Sequence, residues 1–329
     1  MKNVIVYGAL AVVLFIIGFF IARDNDDESK TVKRTQILLG TVVEIQVGDA
    51  DERKAENAVT KALDEIKRID DLFTTFKEKS TVWKINNSVD TVIYIDSEVY
   101  NLIVLCDSVT RISNGCFDVS LDNLTKCWGF YTDKPHLPAR DSIVSALKKC
   151  GWKNIKLFGS NRIIKKEKVG LNFGAVAKGY AVDRAVDVLK KSGIKKALVN
   201  AGGEISVIGT GWIVGIQHPR NQNELIAKIK LDNVSVATSG DYEQYFEKNG
   251  IRYHHILDPK TGCPATGLQS VTIINKEDKY ADAMATAVFV MGKDNGMRSV
   301  ESLKGTEAMI IDDKGKIYYS SGFKKFLIN

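Results

Sequence analysis

Histidine and proline are scarce in this chain of 329 residues, with four and five copies. Its five cysteines, Cys106, Cys116, Cys127, Cys150 and Cys263, include no C-x-x-C pair and no Cys/His spacing of a zinc site. That excludes a zinc finger or ribbon, and mostly buried thiols are expected. No G-x-x-x-x-G-K-[ST], H-E-x-x-H or G-x-S-x-G occurs, and GTGWIVG lacks the third glycine of a dinucleotide fingerprint and runs into a strand. A standard NAD enzyme, P-loop ATPase, zincin or α/β-hydrolase is therefore disfavoured. The net charge is +6, and the lysines are scattered with no basic block interleaved with aromatics. Nucleic acid is not an expected partner. Internal repeats and low-complexity tracts are also missing.

One long hydrophobic run is present. Val4–Ala22 (VIVYGALAVVLFIIGFFIA) carries no charge and has about the length that crosses a hydrocarbon core of ~30 Å as a helix. Phe20 and Ala22 fit a small-x-small cleavage site poorly, and no cysteine precedes Cys106 to carry a lipid. The expectation is an uncleaved signal-anchor over residues 1–23, a polar linker over 24–34 and a catalytic body over 35–329. That body would lie outside the cytoplasm, held at a bacterial inner or plasma membrane by a single span.

Beyond the linker, periodicity gives a mixed order of elements. Thr41–Val47 alternates as a strand, and Ala55, Val59, Ala62, Leu63, Ile66, Ile69 and Phe73 recur at helical spacing. Further helices are expected from Ser97 to Asn114-Gly115, near Ser142–Cys150, through GYAVDRAVDVLKKSG, and from Tyr280 to Met291. Strands are expected at NIKLF, RIIKKE, KKALVN, EISVIG, WIVGIQ, LIAKIKL, VSVAT, SVTIINK and in the hairpin AMIIDDKGKIYYS. This order suits an α+β fold, with mixed or antiparallel sheets flanked by helices, better than a doubly wound parallel sheet.

Three segments could carry chemistry. In NFGAVAKGY (Asn172–Tyr180), small residues surround Lys178 where a helix begins, which suits an anion; tight helix packing through Ala and Gly is the structural alternative. In ADAMATA, Asp282 and Thr286 stand four apart and share a helix face, offering a carboxylate and a hydroxyl to a hard cation. The alternative is an N-terminal Asp favouring the helix dipole and a Thr bonded back to a carbonyl. In HHILDPKTG, either histidine could be a base or a phosphate contact, against an ordinary loop histidine satisfied by backbone.

Taken together with GTVVEI, GCFDVSLDNLTKCWGF, LVNAGGEI and ATSGDYEQYF, these segments resemble, in order from about Leu38 to the C-terminus, the FAD:protein FMN transferases, or ApbE-like flavin transferases. The resemblance implies a T-fold-like, two-lobed body. It also implies Mg²⁺-dependent transfer of FMN from FAD to a threonine hydroxyl of an acceptor protein through a phosphoester, with release of AMP. Mn²⁺ is the alternative metal. The implied acceptors are subunits of ion-pumping NADH:quinone or Rnf-type redox complexes, or extracytoplasmic flavin carriers.

By the same resemblance, Asp282 and Thr286 give side-chain oxygens and Ala175 its main-chain carbonyl to the metal. FAD contacts fall at Leu39, Phe76, Phe117, Asp118, Asn172, Lys178, His255 and Val271. His255 is the expected catalytic residue near the scissile phosphates, with Asp241 a second candidate. An FAD pyrophosphatase giving FMN and AMP, or a non-enzymatic flavin-binding protein, is the competing reading.

Overall fold

Period-two burial on the strands and a 3.6-residue stripe on the helices decide how this chain stacks. The structure, a computed structural model, describes residues 31–328 apart from Ala50, Asp133, Ser160 and Glu167. Its elements begin with β1 (Thr31–Leu38), β2 (Thr41–Gly48), α1 (Glu52–Phe73), α2 (Thr81–Asn87), β3 (Val92–Tyr94), α3 (Ser97–Ile112), α4 (Asp122–Trp128) and α5 (Arg140–Leu147). The middle holds β4 (Ile155–Phe158), β5 (Arg162–Lys165), α6 (Ala177–Lys191), β6 (Ala197–Ala201), β7 (Glu204–Ile208), β8 (Trp212–Gln217), β9 (Leu225–Leu231) and β10 (Ser235–Gly240). Then come β11 (Tyr245–Lys248), β12 (Ile251–His254), β13 (Leu268–Asn275), α7 (Asp278–Met291), α8 (Lys293–Glu301), β14 (Glu307–Asp312) and β15 (Ile317–Tyr319).

Eight strands form one sheet in the order β1-β2-β6-β7-β10-β13-β14-β15. Every pairing among the described residues is antiparallel, so the sheets are not mixed. One face carries Val199, Ala237, Val271, Ile273 and Ile310 into a core shared with α1, α6 and α7. Their neighbours Leu198, Val236, Ile274, Met309 and Ile311 turn the other way, onto Val214, Ile216, Ile229 and Leu231 of the β8–β9 ribbon. The central strands β6 and β7 are buried on both faces, so burial does not alternate along them and the polar Asn200, Glu204 and Ser206 are buried with the rest.

Two of the excursions that leave the sheet bear on the site, one between β2 and β6 and one between β10 and β13. They meet: Leu124 and Trp128 of α4 and Ile143 and Ala146 of α5 pack with Phe246 of β11 and Leu257. The Trp128 indole N–H donates to the Gly262 carbonyl at 2.8 Å, tying this cluster to the HHILDPKTG segment. That segment is thereby held between the smaller cluster and the main sheet.

The structure corrects the sequence reading in places. β1 starts at Thr31, so Thr31–Arg34 belong to a strand and not to the linker. Its pattern TVKRTQIL is mostly polar because it is a sheet edge, exposed along much of its length. α2, α4 and α8 and the β11–β12 hairpin were also not foreseen; α2 and α4 have seven residues each, too short for a periodic signal. The hydrophobic run Val4–Ala22 lies outside the described residues. Among the described residues, no helix is long and apolar enough to cross a membrane. All five cysteines are free, Cys106 and Cys150 buried and the other three partly so.

Candidate active site

The start of α6 explains the NFGAVAKGY segment. No side chain of its own caps this helix. The cap comes from α7 instead: Asp282 Oδ2 accepts a hydrogen bond from the Gly179 amide at 2.9 Å. Gly179 is the third residue of α6, so its amide is one of the helix-start N–H groups with no intrahelical acceptor, and Asp282 supplies one. Gly179 is required here, because a Cβ would stand 2.5 Å from the Asp278 carbonyl oxygen and 2.8 Å from the Asp282 Cβ. Thr286 follows one turn along α7, its hydroxyl 3.1 Å from that of Ser239 on β10.

A buried charge cluster surrounds this point. Lys178 Nζ stands 2.7 Å from Glu204 Oε1, and Glu204 at the head of β7 is 1% exposed. Burial would pull the Lys178 ammonium down, but Glu204, Glu243 and Asp282 outweigh it and hold it above its ordinary range. Burial raises Glu204 above its ordinary value, against the opposing pull of Lys178. Desolvation likewise raises Asp282 and Glu243, with Lys178 opposing in both. Asp278, the first residue of α7, is fully buried and both its carboxyl oxygens lack a partner. Burial, then Asp183, Glu204 and Asp282, raise it well above its ordinary value, with Lys178 opposing.

The two histidines have different surroundings. His254 ends β12, is 5% exposed, and has both ring nitrogens occupied, Nε2 on the Ala265 carbonyl at 2.8 Å and Nδ1 by the Ile256 amide at 3.3 Å. It is a satisfied core histidine, edge-on to Phe289. His255 is only partly buried, with Nδ1 at 3.3 Å from the Gln244 carbonyl. A carbonyl can only accept, so Nδ1 carries the proton and Nε2 keeps its lone pair. Burial lowers His255 to about 3, with His254 and Lys178 adding to the effect. Beyond it the chain makes a tight turn: Asp258 accepts the Lys260 amide on its side chain and the Gly262 amide on its carbonyl, both at 2.8 Å. Gly262 takes φ +71°, a left-handed conformation suited to glycine.

The structure thus brings Ala175, Lys178, Asp282, Thr286 and His255 to one region. Asn172 sits just before it, its Oδ1 accepting the Gly174 amide at 2.8 Å. Phe76 is 65% exposed and meets Tyr131 edge-on at 5.1 Å, an open aromatic ledge. Leu39 occupies the β1–β2 turn with φ +55° and donates its amide to Asp70. Phe117 and Val271 are core side chains, 1% and 0% exposed, and Asp118 spends its oxygens on Ser120 and the Trp152 amide. None of these last three presents a free side chain to a ligand. Asp241 is held by Arg220 through two bonds of 2.7 Å, which occupy both oxygens and suit an anchor better than a base. Sequence reasoning missed Glu204, Glu243 and Asp278. Glu204 opens the expected strand EISVIG, and Glu243 stands two residues beyond Asp241 in the segment ATSGDYEQYF.

A hard cation fits this donor set. Asp282, Thr286 and the Ala175 carbonyl are all oxygen donors, and Glu204, Glu243 and Asp282 face the Lys178 ammonium. Among the described residues no three His, Cys, Asp or Glu side chains gather as metal ligands. The set proposed here contains only one carboxylate, so that absence does not conflict with it.

A sequence model of the ApbE family matches residues 39–310. The chain belongs to the ApbE family. The FAD:protein FMN transferase of Treponema pallidum is 27% identical over 98% of this chain and 96% of its own length. That of Vibrio cholerae is 30% identical over 86% and 87%. Among solved structures, the ApbE protein of Thermotoga maritima superposes with a TM-score of 0.85 at 36% identity, covering 91% of this chain and all of its own. The Vibrio cholerae flavin transferase ApbE gives 0.81 at 26% identity, with the same coverage. The ApbE-like α+β fold is therefore established, and so is the membership of this chain in a family of flavin transferases.

Proposed function

We propose that this chain moves FMN from FAD to a threonine hydroxyl of an acceptor protein, forming a phosphoester and releasing AMP. The observation that carries this reading is the hydrogen bond from the Gly179 amide to Asp282. It sets the Asp282 carboxylate at the head of α6, which the Ala175 carbonyl precedes by two residues, with the Thr286 hydroxyl one turn along α7, in a chain of this family. Mg²⁺, or Mn²⁺ in its place, would be held by those three oxygens and would neutralise the pyrophosphate and the charge on the leaving phosphate.

The chain's own residues do the rest. Lys178 adds a fixed positive charge where the pyrophosphate would lie. His255, neutral at physiological pH, offers the Nε2 lone pair toward the same region, either to take the threonine proton or to accept a hydrogen bond as it leaves. The Phe76–Tyr131 ledge offers the isoalloxazine ring an aromatic face. In the transfer, the threonine oxygen bonds to the FMN phosphorus as the bridging oxygen departs with AMP. Val4–Ala22 would anchor the enzyme with its body outside the cytoplasm, near membrane-bound redox acceptors.

The test is FAD cleavage by the full-length protein with Mg²⁺. Asp282→Ala should lower turnover at least about a hundredfold with the fold retained. Unchanged turnover in that variant would remove Asp282 from the site.

A further inference from the structure

The β6–β7 turn at Gly202-Gly203 delivers Glu204 to the interior. Its register is fixed by the last pair, Ala201 with Glu204, and by the Gly203 amide on Asn200 Oδ1 at 3.0 Å. All five β7 residues are buried. A carboxylate in such a place is costly unless paired, and the partner provided is Lys178 at 2.7 Å. Oε2 of the same carboxylate is buried with no partner. Glu204 is therefore not a hub of several hydrogen bonds: its one resolved partner is the ammonium.

We infer that Glu204 is a positioning residue: it fixes the otherwise flexible Lys178 side chain so that the ammonium already stands where the FAD pyrophosphate arrives. This rests on the reading that Lys178 meets that pyrophosphate. Lysine has a long, freely rotating stem, and its head would otherwise be free to snorkel toward water. The groups facing the ammonium come from several elements: Glu204 on β7, Glu243 after β10, Asp278 and Asp282 on α7 and, as a neutral ring, His255 after β12. Of these only Glu204 bonds it. Asp282 is turned to the Gly179 amide. Preorganised charge of this kind acts without reorganisation when the substrate binds.

Positioning and simple electrostatics predict opposite signs. Removing a negative charge beside an anion site should tighten FAD binding if charge alone mattered. If Glu204 positions Lys178, Glu204→Gln should weaken it.

The experiment measures FAD binding to the full-length protein with Mg²⁺ by flavin fluorescence, together with KM and kcat for FAD cleavage. Glu204→Gln should weaken binding and raise KM about tenfold while kcat changes far less. Glu204→Asp, which keeps the charge, should recover part of the loss. Adding Glu204→Gln to Lys178→Met should weaken binding no further than Lys178→Met alone, because the residue it positions is gone. FAD affinity in Glu204→Gln equal to or tighter than wild type overturns the inference. If Glu204→Gln does not fold, Glu204→Asp and the double variant, which removes both buried charges, carry the test. Wild-type affinity in Glu204→Asp, or a double variant weaker than Lys178→Met, then overturns it. Lys178→Met binding FAD like wild type would instead remove the reading on which the inference rests.

Discussion

Two adjacent histidines show how much a single residue's surroundings decide. His254→Ala removes a core ring with both nitrogens occupied, so it should lower unfolding free energy by about 1–3 kcal/mol, read as a fall in Tm. His255→Ala should leave Tm nearly unchanged and cut turnover by about 10²-fold or more. The pH dependence of stability has a definite sign. Burial disfavours the His255 imidazolium and lowers it to about 3 in the folded chain. Between that value and about 6.5 the unfolded chain binds more protons, so this contribution to stability is lost as pH falls through the window. His255→Asn should flatten the stability slope there relative to wild type, as measured by denaturant unfolding at a series of pH values. An identical slope in both proteins would refute the assignment. HHILDPKTG was legible as a turn, and the family resemblance singled out His255 within it, but which of its nitrogens stays free depends on the Gln244 carbonyl and could not be read locally.

At the scale of elements, the meeting of α6 and α7 is the critical contact. Gly179→Ala would drive a Cβ into the Asp278 carbonyl and the Asp282 Cβ and force the helices apart. It should cost about 1–3 kcal/mol by thermal unfolding and weaken Mg²⁺ binding in a calorimetric titration. Wild-type Mg²⁺ affinity in that variant would contradict the donor set. Long periodic elements were legible in sequence: α1 and α6 carry clear apolar stripes, and β6, β7 and β13 run as β-rich segments. β1 was not, because a sheet edge is mostly polar, and α4 was not, because seven residues hold their place through Trp128 and its bond to Gly262. Asp282 and Thr286 could be placed on one helix face from spacing alone. That Asp282 caps a different helix, distant in sequence, could not, since only the folded chain brings Gly179 to it.

For the whole molecule, the antiparallel sheet provides the scaffold, and the two excursions that meet through Trp128 and Phe246 hold the HHILDPKTG segment through the Trp128–Gly262 bond. Family membership came from motif order, and the fold bears it out at TM-scores above 0.8. The membrane anchor is argued from composition. It predicts that the full-length chain sediments with membranes and resists carbonate extraction, while protease added from outside the cytoplasm digests the body. Recovery in the soluble fraction would refute the anchor.

The central claim is transfer rather than hydrolysis. Full-length protein, FAD, Mg²⁺ and a threonine-bearing acceptor protein should yield AMP and FMN-modified acceptor in equal amounts by mass spectrometry, with the modification mapping to the threonine. AMP and free FMN with an unmodified acceptor would show that water is the nucleophile and contradict the account.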